Sequence, residues 1–511
     1  MSQLLGLPAE LVASIFQHLD DADFFATRLS SRYLERSAST IFGKRFFRKK
    51  GFMITTPSLD VLESIARSEN LSKYVQHIWF NPDCYTFIEP ACAPEDDLDC
   101  DDAENEDEDD RIEITQRVDL LSTKDKARWN AYCECMTDHF SLVHPDSVSS
   151  RPEQLISRLS ATCSLLPNLK IIGMRRSEDH CPWGWRSLAD SVGEDPRVIG
   201  PIPSWPSSVL SGPTMLFVAI NHAVAASGIG LKRQYTDALE IDSVPNHALP
   251  QATVDTALRS MLYLEINISK AWNTIEASPH LRGLRDPNEY GDGLLKVLRA
   301  AAPTLLELGL QIFPDLRSTL TNTIGLSRAD DMRRDYQFLG FRKVADNVRF
   351  ESLTRVKLEK IITTPRTLKT FLAPSHSRLT SLKLRDIRLL PNHEDDDIRA
   401  DRPWGEVFAF LHRSCSNITY LLLHHLLYGR GGIAFVSESA QGESVVVEHT
   451  PEDTRVGTFK DYSDISLELV GRGEVESRLA ALVDEHYYLG NVYSYAMDEE
   501  MWHTDTSDEE W

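Results

Sequence analysis

The sequence predicts an α/β protein in two parts: a small module of three helices at the N-terminus, then an irregular solenoid of helix–strand units broken by insertions. Three observations carry this. Large apolar residues recur at helical spacing through the first fifty residues. A short pattern, apolar-x-x-apolar-x-apolar, returns seven times between residues 75 and 423, several times behind an amphipathic helix. Three acidic runs stand apart in composition from everything else.

In the module, Pro8 suits the first helical position, where its missing N–H would be unpaired anyway. Leu11, Val12, Ile15, Phe16 and Leu19 make one apolar stripe. Asp20 or Asp21 can cap a second helix that carries Phe24, Phe25 and Leu29. A third helix runs from about Arg32 through Tyr33 and Ile41 to Phe46 and Phe47. A domain this small ordinarily needs disulfides, a metal or a partner to fold firmly. No cysteine precedes Cys84, so the expectation is a protein partner that covers several of these side chains.

The order and spacing of these residues resemble the F-box. Its opening half is met at Leu7, Pro8, Glu10, Leu11, Ile15, Phe16, Leu19 and Asp20, and its second half at Asp23, Phe24, Arg28, Leu29, Arg32 and Tyr33. Ile41 to Arg48 continues in the manner of large F-box proteins of filamentous fungi. Ser30-Ser31 departs from the Val-Cys or Thr-Cys of many members, which would weaken partner packing slightly. The resemblance covers residues 2–48. It implies binding to the Skp-type adaptor of an SCF (Skp–cullin–F-box) ubiquitin ligase, and through it to a cullin. The adaptor-binding residues it implies are Leu7, Pro8, Leu11, Ile15, Phe16, Leu19, Phe24, Phe25 and Leu29. The plain alternative is a three-helix cap on a larger domain.

The rest of the chain, residues 57–491, reads as a degenerate leucine-rich-repeat-like body. Ser58 to Ile65 is helical through Leu59, Leu62 and Ile65. The strand pattern follows at Val75-x-x-Ile78-x-Phe80, Leu169-x-x-Ile172-x-Met174 and Met261-x-x-Leu264-x-Ile266. The strongest matches begin at Leu305, Leu353, Leu379 and Ile418, at spacings of 48, 26 and 39 residues. Helices are expected over Pro152 to Leu166, Thr253 to Met261, Asp292 to Ala302 and Trp404 to Cys415, with a buried one within Met215 to Leu231. Each unit leaves an apolar face that only a neighbour can cover, so the units should stack and fold without the first module. The irregular spacing and the lack of a consistent Asn after the strand leave an ordinary parallel α/β domain as the competing architecture.

Insertions interrupt the body, and long insertions often carry recognition. One, Met174 to Ser211, holds Trp183, Trp185 and Trp205, which are candidate target contacts or, equally, a plug over a sheet edge. Another holds the acidic loop 94–111, and a third spans Pro391 to Arg402. Near the end, Val445 to His449 and Ser466 to Val470 read as strands, Glu474 to His486 as a helix, and 497–511 as an acidic tail.

The formal net charge of −23 is local. Glu95 to Asp110 holds twelve acids, Glu394 to Asp397 four and Asp498 to Glu510 seven, which together equal the whole excess. Such runs stay solvated, and broad nucleic-acid binding is disfavoured because phosphate contacts need a basic face. Deleting Glu95 to Asp110 should leave the melting temperature nearly unchanged, since extra loop length costs only about 0.6 kcal/mol per doubling. A large drop on thermal unfolding would mean that the loop packs on the body.

No catalytic constellation emerges. Cys133-x-Cys135 with His139 lacks the paired spacing of a zinc site. Gly429 to Gly432 lacks the lysine of a nucleotide loop and reads as a turn. His424 and His425, adjacent on a strand, would point to opposite faces. The expectation is therefore a non-enzyme without cofactor or metal, binding neither nucleic acid nor membrane, in the cytoplasm or nucleus. The resemblance implies the substrate-recognition subunit of an SCF ligase, with an unknown protein as its target. The alternative is a non-ligase F-box scaffold that holds the adaptor without turning a target over.

Overall fold

The computed structural model describes residues 6–82, 123–143, 152–175, 181–192, 212–236, 246–268, 291–312, 340–390, 403–428, 431–435, 466–483 and 486–489, with residues 239, 241 and 244. The three acidic runs, Trp205, Cys84, Cys92, Cys100 and the expected strand Val445 to His449 lie outside the described residues. The fold is mixed α/β with parallel-dominated sheet, and the chain divides into two compact units, mainly before and after Met261.

The first unit opens with helices α1 (Ala9–His18), α2 (Asp21–Leu29) and α3 (Arg32–Phe47). Pro8 stands at the N-cap of α1, one residue before the expected place. Asp20 makes the second cap, its Oδ1 accepting from the Asp23 N–H at 2.8 Å. Ser31 caps α3, its Oγ accepting from the Tyr33 N–H at 3.2 Å.

Strand β1 (Lys49–Met53) follows α3 directly and pairs in parallel with β2 (His77–Asn81), Lys49 opposite His77. A body beginning at residue 57 would lose this strand. Then β3 (Ile171–Met174) joins β2 and β4 (Arg233–Tyr235) joins β3, each in parallel. The crossovers carry α4 (Thr56–Arg67), α5 (Thr123–Val143), α6 (Glu153–Ser164), α7 (Trp185–Val192) and α8 (Gly212–Ser227). Helix α9 (Gln251–Leu258) packs on α8. Leu62, Ile78, Phe80, Leu159, Ile172 and Ile220 line a small space of about 10 Å³, which marks where the helices meet the sheet. Helix α8 is buried along most of its length, which accounts for its near-uniform apolar sequence. Among the described residues no helix is long and apolar enough to cross a membrane.

Two glycines on the outer face of this sheet admit large rings. Trp79 lies over Gly51 and Tyr235 over Gly173, so a Cβ at either glycine would fall 2.1 Å from the ring. Gly173→Ala should therefore cost about 1–3 kcal/mol through overpacking. Urea unfolding checks this, and an unchanged midpoint would mean that Tyr235 moves aside freely.

In the second unit β5 (Tyr263–Ile268), β6 (Glu307–Ile312), β7 (Arg355–Glu359), β9 (Ser381–Arg385) and β11 (Tyr420–His424) run parallel in chain order. β14 (Ser466–Val470) closes the row antiparallel to β11. Burial alternates along β6, with Leu308, Leu310 and Ile312 inward. Glu307 opposes Arg355 although they are 48 residues apart in sequence, so the irregular spacing is taken up in crossovers and not in the sheet. The crossovers include α10 (Asp292–Ala301), a helical stretch over 340–347, α11 (Pro365–Leu372) and α12 (Pro403–Ser414), and α13 (Arg472–Leu482) follows β14.

A corner repeats after three strands of this row. Lys360, Asp386 and His425, each just past a strand, adopt positive φ of 55°, 54° and 47°. Such non-glycine residues cost about 1–3 kcal/mol each and persist only where their surroundings hold them. Here the Lys360 N–H donates to the Arg385 carbonyl at 2.9 Å, and the Asp386 N–H to the His424 carbonyl at 3.0 Å. Buried Ile361, Ile387 and Leu426 come next. They lead into β8 (Ile362–Thr363), β10 (Arg388–Leu389) and β12 (Leu427–Tyr428), which form a second parallel row. β13 (Gly431–Phe435) turns back on β12 and pairs with β15 (His486–Leu489). Of the expected turn Gly429 to Gly432, Gly431 and Gly432 belong to β13, and residues 429–430 lie outside the described residues.

Candidate protein-docking site

The three-helix module divides its apolar residues into two sets. Val12, Phe16, Phe24, Leu34 and Ala38 form a fully buried core, with Leu7, Leu19, Ile41, Phe42 and Phe46 half-buried around it. Phe16 meets Phe24 edge-on at 4.9 Å between centroids, and Phe46 closes on Phe24 at 5.3 Å. Polar ties lock the ends. The Tyr33 hydroxyl donates to the Leu7 carbonyl at 2.5 Å, and Arg45 donates to the Leu19 carbonyl at 2.7 Å while pairing with Asp21.

The second set faces outward. Leu11 is 53% exposed and Leu29 75%, with Ile15, Phe25 and Tyr33 also exposed. Leu11 and Ile15 lie four apart on α1, as do Phe25 and Leu29 on α2, so each helix presents its own apolar pair. Of the expected adaptor-binding residues, Leu11, Ile15, Phe25, Leu29 and Pro8 are exposed, Leu7 and Leu19 half-buried, and Phe16 and Phe24 interior. The last two support the face without forming it. A stripe more than 100° wide can serve both a core and a partner, and the sequence alone does not divide it.

The tryptophans separate likewise. Trp183 is half exposed and exchanges backbone hydrogen bonds with β1, its N–H to Gly51 at 2.7 Å and its carbonyl from the Met53 N–H at 3.1 Å. Ser58 also donates to that carbonyl, at 2.8 Å. The segment thus lies along the edge of β1, with the Trp183 ring outward and Trp185 buried.

Burial makes three of the described cysteines poor nucleophiles. Burial pushes the thiols of Cys163 and Cys415 up to about 12, and burial with the Asp138 charge takes Cys135 to about 11. His139 bonds the Ile54 carbonyl at 3.0 Å, and among the described residues no group of three metal ligands assembles. His425 pairs with Asp386 at 2.6 Å. Burial alone would raise the Asp386 carboxyl, but the hydrogen bond and charge of His425, with the charges of His424 and Arg385, outweigh it and hold the carboxyl below its usual range.

Neither the family models nor the curated proteins yield a match to this chain.

Proposed function

We propose that this chain is the substrate-receptor subunit of an SCF-type ubiquitin ligase. Its N-terminal module binds a Skp-type adaptor, and its repeat body holds a protein target. The observation that carries the reading is the outward pair on each of two helices, Leu11 with Ile15 and Phe25 with Leu29, on a module whose core is already filled by Phe16 and Phe24. Exposed aliphatic and aromatic pairs on a small module are what a helical partner would cover. The residue pattern from Leu7 to Tyr33 adds the F-box assignment. Parallel strands laid down in chain order within each unit support a leucine-rich-repeat-like body, since doubly wound sheets reorder their strands.

Such a subunit does no chemistry. It speeds transfer by holding the target beside a cullin-bound conjugating enzyme. The test is a proteome-wide half-life comparison between cells carrying the intact chain and cells carrying Leu11→Asp with Ile15→Asp. Under this reading the variant keeps its target and lengthens that target's half-life. If no protein is stabilised although both chains hold the same body-bound partners, the scaffold reading takes its place.

A further inference from the structure

We propose that the leading edge of the first unit's sheet is a docking ridge for an extended, Asp/Glu-rich segment of a protein partner. Under the function proposed above, on which the partner's identity rests, that segment belongs to the target. The residues just before β1, β2, β3 and β4 are Arg48, Gln76, Lys170 and Lys232. Backbone hydrogen bonds tie them into a row. The Gln76 N–H donates to Arg48 at 3.0 Å, Lys170 to Gln76 at 2.9 Å and Lys232 to Lys170 at 2.8 Å. The next row, in register, is Lys49, His77, Ile171 and Arg233. At a strand spacing of about 4.8 Å the row is roughly 14 Å long.

Arg48, Lys49, Lys170 and Lys232 are exposed, and among the described residues none of the four makes a salt bridge. Not one Asp or Glu occurs within 36–59, 70–82, 154–177 or 196–236, the stretches that supply these strands and their approaches. Composition does not explain this clustering, because the chain outside its acidic runs is balanced. Nor does the fold demand it. In the second unit the same positions are Leu262, Leu306, Thr354, Thr380 and Thr419, joined by the same backbone bonds. Beside them Glu307 neutralises Arg355 at 2.7 Å.

The shape selects the ligand. Charges strung over two adjacent rows of the sheet's leading edge match a run of carboxylates, whereas a phosphoryl group calls for donors converging on one point. Three of the four exposed heads are lysines, which act as point charges and lack the fork of arginine. The Trp79 and Tyr235 rings on this sheet are buried flat against glycines, so they offer no platform for stacked bases.

The probe is a fluorescein-labelled oligo-glutamate peptide, read by fluorescence anisotropy on the full chain at low and physiological salt. Binding should weaken as salt rises. The triple variant Lys49→Glu, Lys170→Glu, Lys232→Glu should lose at least about tenfold in affinity, with its melting temperature and adaptor capture unchanged. A second triple variant, with Gln at the same positions, should lose affinity to a smaller degree, which separates charge from misfolding. Undiminished binding by the reversed variant overturns the ridge, as does no binding to the intact chain, or tighter binding of a single-stranded oligonucleotide of equal charge. Adaptor capture on the same preparations reads the receptor assignment separately. If capture fails while the peptide still binds, the receptor reading falls and the ridge stands.

Discussion

Replacing Leu11 and Ile15 together by Asp should abolish adaptor capture while leaving the chain folded. Both side chains are exposed, and neither belongs to the core built around Val12, Phe16 and Phe24. A buried Leu or Ile contributes about 1.5–3 kcal/mol, and two charges in a desolvated interface add a further penalty. The combined loss should exceed a hundredfold in affinity, at about 1.4 kcal/mol per factor of ten. Phe24→Ala is the contrast. It should also reduce capture, but by costing the module about 3–5 kcal/mol of its own stability. Circular dichroism on both variants distinguishes the two routes. Adaptor capture that survives Leu11→Asp with Ile15→Asp would remove α1 from the interface.

The largest stability effect in the second unit should come from Trp404→Ala. Trp404 is fully buried at the start of α12, stacks on Phe408 at 5.7 Å, and donates its Nε1–H to the Leu427 carbonyl at 3.0 Å. Removing the ring should cost about 3–5 kcal/mol through the cavity it leaves. The unpaired carbonyl adds about 1–3 kcal/mol. Trp404→Phe should recover much of the packing and none of the hydrogen bond. Chemical denaturation followed by Trp fluorescence reads both, and a midpoint unmoved by Trp404→Ala would contradict the close packing of this corner.

The legibility of the fold followed burial. Each of the seven strand patterns, from Val75 to Ile418, contributes a strand, because their inward positions carry aliphatic or aromatic residues that no surface strand would need. β1 and β4 escaped. Lys49-Lys50-Gly51 looks like a basic loop, and Gln234 stands where a strand's buried apolar residue would be. Their pairing depends on neighbours far along the chain. The corners at Lys360, Asp386 and His425 were equally hidden, since positive φ is normally announced by Gly or Asn. At the docking site the apolar stripe of α1 was readable, but its division was not. Val12 and Phe16 turn inward while Leu11 and Ile15, one residue behind each, turn out. The basic ridge required the fold, because its residues come from four separate stretches of chain.

Affinity capture of the intact chain from its native cells, with the retained proteins identified by mass spectrometry, bears most directly on the receptor assignment. A Skp-type adaptor and a cullin should both be retained, and both should be lost in the variant carrying Leu11→Asp with Ile15→Asp. Retention of the adaptor without a cullin, or of neither, would overturn that assignment.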